Sequence, residues 1–286
     1  MDVDLKGKNV VVTGSAMGIG RGLSECFAAQ GANLVLADLL SQKECLSRRA
    51  AELERAYNIK CWTFFADLTD ADGPERLHEE ISRVVPHVHV LVNNAGICWF
   101  GRFPDMPLDR LATMIQLNCM AYAKLSRLFL PAMIERDEGG ILNVSSVSAF
   151  QSVPTLGLYA ATKAFTQSLT EAVRAELPSK SRVVVSTLNP PFTRTHLIED
   201  AGVPPDYIPM KMSFMSVEEV ASAGVKSFMK GRERFVPGLW NRIFYLGLVK
   251  FTPHTLLVFL SRIFTRRLTE LVPRHILELV GVSERQ

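Results

Sequence analysis

"VVVTGSAMGIGRG" (residues 10–22) is the stretch from which the architecture of this chain can be read. A run of valines ends in Thr13 and Gly14, and Gly18 and Gly20 then open a segment of helical character. Apolar residues without polar alternation describe a strand buried on both faces. Glycines between such a strand and a helix allow a tight turn and a close backbone approach to a pyrophosphate. The free N–H groups of the helix then face the anion. Ser15, Met17 and Ile19 complete the turn, so the candidate cradle runs from Gly14 to Gly20. Strand ends also use glycine for steric reasons alone; the strand before and the helix after give this turn its weight.

The same grammar repeats along the chain. "KNVVVTG" (8–14), "NLVLAD" (33–38), "CWTFFAD" (61–67), "VHVLVNNAG" (88–96), "GILNVSS" (140–146) and "RVVVSTLNP" (182–190) read as strands, with a last short one near "RERFVPG" (232–238). Amphipathic stretches at 18–30, 41–57, 74–85, 107–136, 157–177 and 216–230 read as helices. Strand–helix alternation predicts right-handed crossovers and a doubly wound parallel sheet of seven strands with helices on both faces. The expected division is one α/β domain over 1–238 and an apolar, basic helical extension over 239–286.

Composition excludes several classes. Of the 286 residues 48% are hydrophobic and 21% charged, which is ordinary for a globular chain. A net charge of +3 with no basic run gives no footing for nucleic acid. Five cysteines (Cys26, Cys45, Cys61, Cys98 and Cys119) form no Cys-x-x-Cys pair, and the six histidines show no ligand spacing. No metal is expected, and a reducing, cytoplasmic location is.

Asp38 ends the second strand, about 20 residues beyond the glycines. A carboxylate there accepts hydrogen bonds from the adenosine ribose hydroxyls and repels a 2′-phosphate, which favours NAD. The plainer reading is a cap on the next helix. Neither Met17 nor Leu39 supplies a compensating cation; Lys43, Arg48 and Arg49, further on, keep NADP open.

Tyr159 and Lys163, in "YAATK", lie one helical turn apart on one face. With the pattern T-G-x-x-x-G-x-G (13–20), "NNAG" (93–96) and Ser146 thirteen residues before Tyr159, the chain from about 5 to 195 resembles the short-chain dehydrogenase/reductase family. Its nearest likeness is to acyl and steroid reductase-like members. The resemblance implies a Rossmann-type fold and an NAD(H)-dependent oxidoreductase. It implies Tyr159 as general acid/base, Lys163 as its activator and ribose anchor, Ser146 as donor to the substrate oxygen, and Asn118 as the link to a water relay. Asp67 and Leu68 would contact the adenine, and Asn94, with Ala95 and Gly96, the far ribose. Homodimers or homotetramers built on the helices at 107–136 and 157–177 are expected on the same ground.

The chemistry has its own logic. Oxidising a secondary alcohol needs a base for the hydroxyl proton, and a free phenol, with a pKa near 10, is a poor one. An adjacent ammonium and an oxidised nicotinamide both favour the phenolate, so Lys163 and the bound cofactor together are expected to pull the Tyr159 pKa down; about three pH units requires about 4 kcal/mol. The expected activity interconverts an apolar secondary alcohol and ketone, with an NADP-dependent 3-oxoacyl-thioester or steroid reductase as the alternative. A non-catalytic nucleotide sensor is the second alternative, and a sensor has no need of an activated phenol.

Two features stand apart. "NPPFTRT" (189–195) has Pro191 where the family usually has glycine, which removes an N–H, so Thr193 or Thr195 would contact the nicotinamide amide. The stretch 193–215, with Met210, Met212, Phe214 and Met215, reads as a substrate lid or as an irregular connection. "LWNRIFYLGLVKFTPHTLLVFLSRIFTRRL" (239–268) is apolar and basic, without an acidic residue, and Pro253 splits it. It suits a cleft cover, a subunit contact or a membrane surface.

Overall fold

The structure, a computed structural model, describes residues 4–193, 195, 197, 200–201 and 215–269. Seven strands form one parallel sheet: β1 (Asn9–Thr13), β2 (Asn33–Asp38), β3 (Cys61–Phe65), β4 (Val90–Asn93), β5 (Gly140–Val144), β6 (Val184–Leu188) and β7 (Arg234–Phe235). Their order is β3-β2-β1-β4-β5-β6-β7. The order reverses between β1 and β4, and in such sheets the crevice outside the carboxyl ends at that point receives the ligand.

Period-two alternation assigns each strand residue to one of two cores. Val10, Val12, Leu34, Leu36, Val90 and Val92 face one side, with Leu23 and Phe27 of α1 (Gly18–Ala28), Leu46 and Leu53 of α2 (Lys43–Tyr57). Val11, Val35, Leu91, Ile141 and Val185 face the other, with Leu77 and Ile81 of α3 (Gly73–Val84). Both faces are therefore dry, which is why the strands read as unbroken apolar runs.

The segment 107–136 departs from its expected single regular helix. It comprises α4 (Leu108–Ile115), a π-helical turn over Gln116–Ala121, and α5 (Tyr122–Arg136). Such a turn re-aims side chains and often marks a functional site. Here it carries Asn118, which is fully buried. Next come α6 (Gly157–Ala175), which bears Tyr159 and Lys163, and α7 (Val217–Met229). A capping box between Ser216 and Glu219 fixes the start of α7.

Beyond β7 the chain continues as α8 (Leu239–Arg242), a second π-turn (Ile243–Leu248), α9 (Val249–Phe251) and, after Pro253, α10 (His254–Thr269). The break falls at the proline, as expected. Tyr245 sets its ring 6.2 Å from that of Phe150, which anchors this extension beside the strand ends. Residues 202–214, most of the segment expected to be a lid and including Met210, Met212 and Phe214, lie outside the described residues. Met215 is described and bridges Thr193.

Candidate active site

One cleft of about 840 Å³ follows the carboxyl ends of the strands, from Asp38 past Gly14 and Gly18 to Ser146, Tyr159 and Lys163. At its phosphate end the glycines are obligatory. Gly14 has φ +63°, and a Cβ on it would lie 2.8 Å from the Ala95 Cα. A Cβ on Gly20 would lie 2.1 Å from the Gly14 carbonyl oxygen. No side chain caps the start of α1, so its first-turn N–H groups have no side-chain acceptor. Gly18 and Ile19 of that turn line the cleft, so this is a cradle for an anion.

Ser15 and Gly20, expected against the cofactor, are behind the wall instead. The Ser15 backbone N–H and hydroxyl both donate to the Ala37 carbonyl, at 3.4 and 3.3 Å. They tie the turn to β2, and the absence of a Cβ at Gly20 lets α1 close on Gly14. Met17, Ile19, Asp67, Leu68, Asn94, Ala95, Gly96, Thr193 and Thr195 do line the cleft. Asn94 is committed elsewhere, however: its amide donates to the carbonyls of Thr13 and Gly14, both at 3.0 Å. It stitches β4 to the glycine turn, so its side-chain N–H groups are not available to a ribose. Asp67 accepts from the Thr69 N–H at 2.8 Å and from its hydroxyl at 2.6 Å.

Asp38 is held at the cleft edge by two backbone donors, Ala16 N–H at 2.8 Å and Leu39 N–H at 2.9 Å. It caps no helix, since neither following helical turn has a side-chain cap. Among the described residues the cations lining the cleft are Arg110 on α4 and Lys163 on α6. Lys43, Arg48 and Arg49 are not on its wall, and Arg49 pairs with Glu25 and Glu52.

At the other end, Ser146 opens a short 3₁₀ turn, its hydroxyl accepting from the Ser148 N–H at 3.1 Å. The same side chain hydrogen-bonds Tyr159. Lys163 is buried; its ammonium donates to the Val144 carbonyl at 2.9 Å and lies 5.7 Å from the centre of the Tyr159 ring. Burial dominates both ionisations. It pushes the Tyr159 phenol well up, assisted by Cys98, while the Ser146 hydrogen bond works weakly the other way. It lowers Lys163 to about 8, with Cys119 and Cys98 opposing. The expected downward pull rests on two cations, Lys163 and an oxidised nicotinamide, and the protein alone does not supply it. The Lys163 ammonium is turned to the Val144 carbonyl, and desolvation is the largest influence on the phenol. At neutral pH the protein alone holds Tyr159 as an acid carrying its proton.

Residues 8–203 match the family model described as short chain dehydrogenase.

The chain belongs to the short-chain dehydrogenase family.

It is 32% identical over 197 residues to the very-long-chain 3-oxoacyl-CoA reductase of Bos taurus, covering 67% of this chain and 61% of that one. The very-long-chain 3-oxoacyl-CoA reductase-B of Danio rerio is 31% identical over 223 residues, 74% of this chain and 70% of the relative. Among solved structures, a short-chain dehydrogenase from Sphingobium yanoikuyae in complex with NADPH aligns with a TM-score of 0.74 and 28% identity, over 86% of this chain and 96% of the other. One from Burkholderia phymatum in complex with NAD gives 0.74 and 26%, over 86% and 93%. This short-chain dehydrogenase therefore has the Rossmann-type fold of its family, and it spans 61% of the length of the Bos taurus relative.

The sequence pointed to Asn118, Gly96 and Thr193 but not to Thr162 or Tyr122, and the structure shows how these residues support the site. Asn118, expected to lead to a water relay, is committed on every amide hydrogen: Nδ2 donates to the Ile97 carbonyl at 2.9 Å and to Thr162 Oγ1 at 3.1 Å, while Oδ1 accepts from the Ile97 N–H at 3.0 Å. It clamps the loop after β4 beneath the site, a positioning role. Gly96 sits against it, since a Cβ there would be 3.1 Å from Asn118 Oδ1 and 3.6 Å from Lys163 Nζ. Thr162 accepts from Asn118 and donates to the Tyr159 carbonyl at 2.8 Å, joining the clamp to the catalytic helix. Tyr122, buried, places its ring 5.2 Å from the Lys163 ammonium. Burial raises the Cys98 and Cys119 thiols to about 12 and about 11, so both are neutral packing groups, as read from the sequence. Thr193 is buried and donates to the Pro191 carbonyl at 2.9 Å.

Proposed function

We propose that this chain reduces a ketone to a secondary alcohol on a long apolar substrate, a 3-oxoacyl thioester being the class its named relatives point to, with NADH as donor. One observation carries the reading: the Ser146 hydroxyl and the proton-bearing Tyr159 phenol meet over buried Lys163, in the same cleft as an uncapped helix start. The dinucleotide supplies the hydride when bound. Ser146 holds the substrate oxygen within reach of Tyr159, which delivers its proton to that oxygen as negative charge develops there. The Lys163 ammonium stabilises the phenolate left behind until solvent returns the proton.

Asp38 supports NADH over NADPH, because both of its oxygens stand at the cleft edge with no cation beside them on the wall. The NADPH-bound relative keeps NADPH as the second reading. Arg110 supports an anionic group on the substrate. With Cys98 and Asp200 it lines a recess of about 390 Å³ beside the cleft. Phe244, Tyr245, Leu257 and Leu260 supply an apolar wall.

The test is consumption of NADH or NADPH, read by absorbance, against 3-oxoacyl thioesters of increasing chain length, steroid ketones and sugar ketones. The reading expects NADH to be consumed with kcat/KM rising with acyl length. No turnover with any ketone, or a preference for sugar ketones, overturns it.

A further inference from the structure

We propose that the outer face of the C-terminal extension docks this protein on an anionic lipid bilayer. Trp240 is 80% exposed, Phe251 83%, Leu239 66% and Leu248 60%. With Ile243 and Phe244 they recur at helical spacing along 239–251 and share one face. The opposite face is fixed to the protein: Val249 is buried, and Tyr245 packs on Phe150. Leu256, Phe259 and Leu260, each about half exposed, continue the apolar surface onto α10. The extension is thus a firmly seated element that turns its large apolar side chains outward, whereas isolated exposed apolar residues are ordinary.

Charge selects the occupant. From residue 239 to 269 the sequence contains Arg242, Lys250, Arg262, Arg266 and Arg267 and no Asp or Glu. A second copy would set this acid-free, net-positive stretch, with exposed Lys250 beside the apolar face, against its own like, whereas anionic headgroups complement it. The mode is attachment in the plane of the interface, since no described helix is long and apolar enough to cross a membrane. A bulky indole at the rim, as at Trp240, suits the headgroup level. Phe244 and Leu260 belong both to this face and to the cleft wall. Resting on the functional reading above, the docked face would admit an apolar ketone from the bilayer.

The experiment is flotation of the full chain with vesicles of phosphatidylcholine alone or of phosphatidylcholine with phosphatidylserine, which needs no turnover and so fails or succeeds independently of that reading. The chain should float with the phosphatidylserine vesicles at low salt, remain behind with phosphatidylcholine alone, and be released by high salt. Lys250→Glu should weaken partitioning about tenfold. Trp240→Ser with Phe251→Ser should weaken it further, with an unchanged melting temperature showing that the fold is intact. Full recovery in the unbound fraction at low salt overturns the proposal, as does equal flotation on both vesicles. A dimer in light scattering that Trp240→Ser dissolves, with no flotation, would assign the face to a second copy instead.

Discussion

Replacing Lys163 by methionine should make the protein more stable at neutral pH and less stable at high pH. The folded chain lowers this amine from 10.5 to about 8 by burying it. At about 1.4 kcal/mol per pH unit, keeping it charged at pH 7 costs the folded state about 3 kcal/mol. Methionine of similar length removes that cost. It also removes the hydrogen bond to the Val144 carbonyl, which costs about 1 kcal/mol. That carbonyl keeps a second donor, the Tyr122 hydroxyl at 3.4 Å, so it is not orphaned. The net gain at pH 7 is about 2 kcal/mol, or a melting temperature higher by about 4–6 °C. The sign follows from linkage. Between pH 8 and 10.5 the unfolded chain binds the proton that the folded chain has lost, so wild-type stability rises through this window. Above it the amine is neutral in both states and only the lost hydrogen bond remains, so the variant becomes the less stable by about 1 kcal/mol. Thermal denaturation of both proteins across pH 7 to 11 measures the crossing. A variant destabilised at pH 7, or a difference that does not change with pH, would refute the claim that a desolvated ammonium is held here for function.

Other outcomes follow from the same site. Ketone reduction should fall as pH rises through about 8, because neutral Lys163 no longer stabilises the phenolate; a flat profile in initial rates up to pH 10 contradicts this. Asp38→Ser should raise NADPH affinity about tenfold and lower that for NADH, read by quenching titrations; unchanged preference places the selection elsewhere. Arg110→Ala should raise KM for a CoA thioester about tenfold while leaving kcat/KM for a neutral ketone within about twofold; equal effects on both would mean it packs rather than recognises charge.

Much of this was legible in the sequence because it is local. Unbroken apolar runs located all six long strands, and the glycines announced the phosphate turn because only they fit where a Cβ would strike Ala95 or Gly14. The position of Pro253 gave the break in the extension. Features set by through-space packing were not legible. The π-turn at Gln116–Ala121 interrupts a stretch whose periodicity reads as one helix; it carries Asn118, whose amide holds Ile97, a residue of another element. Asn94 and Ser15 look like ligand-facing polar groups in a motif, yet the carbonyls of Thr13 in β1 and Ala37 in β2 claim them. The spacing of Tyr159 and Lys163 shows that they are neighbours, but not that burial is the largest influence on both ionisations. What desolvation does instead suits reduction: a phenol that keeps its proton until the substrate oxygen needs it.

The central claim is that this phenol delivers the proton to the ketone, and Tyr159→Phe tests it most directly. NADH binding and turnover of a long 3-oxoacyl thioester should be measured on the variant and the wild type side by side. The account expects near-equal NADH affinity with kcat lowered about 10²–10⁴-fold. A variant that binds NADH equally well and turns over within a few-fold of wild type would contradict it.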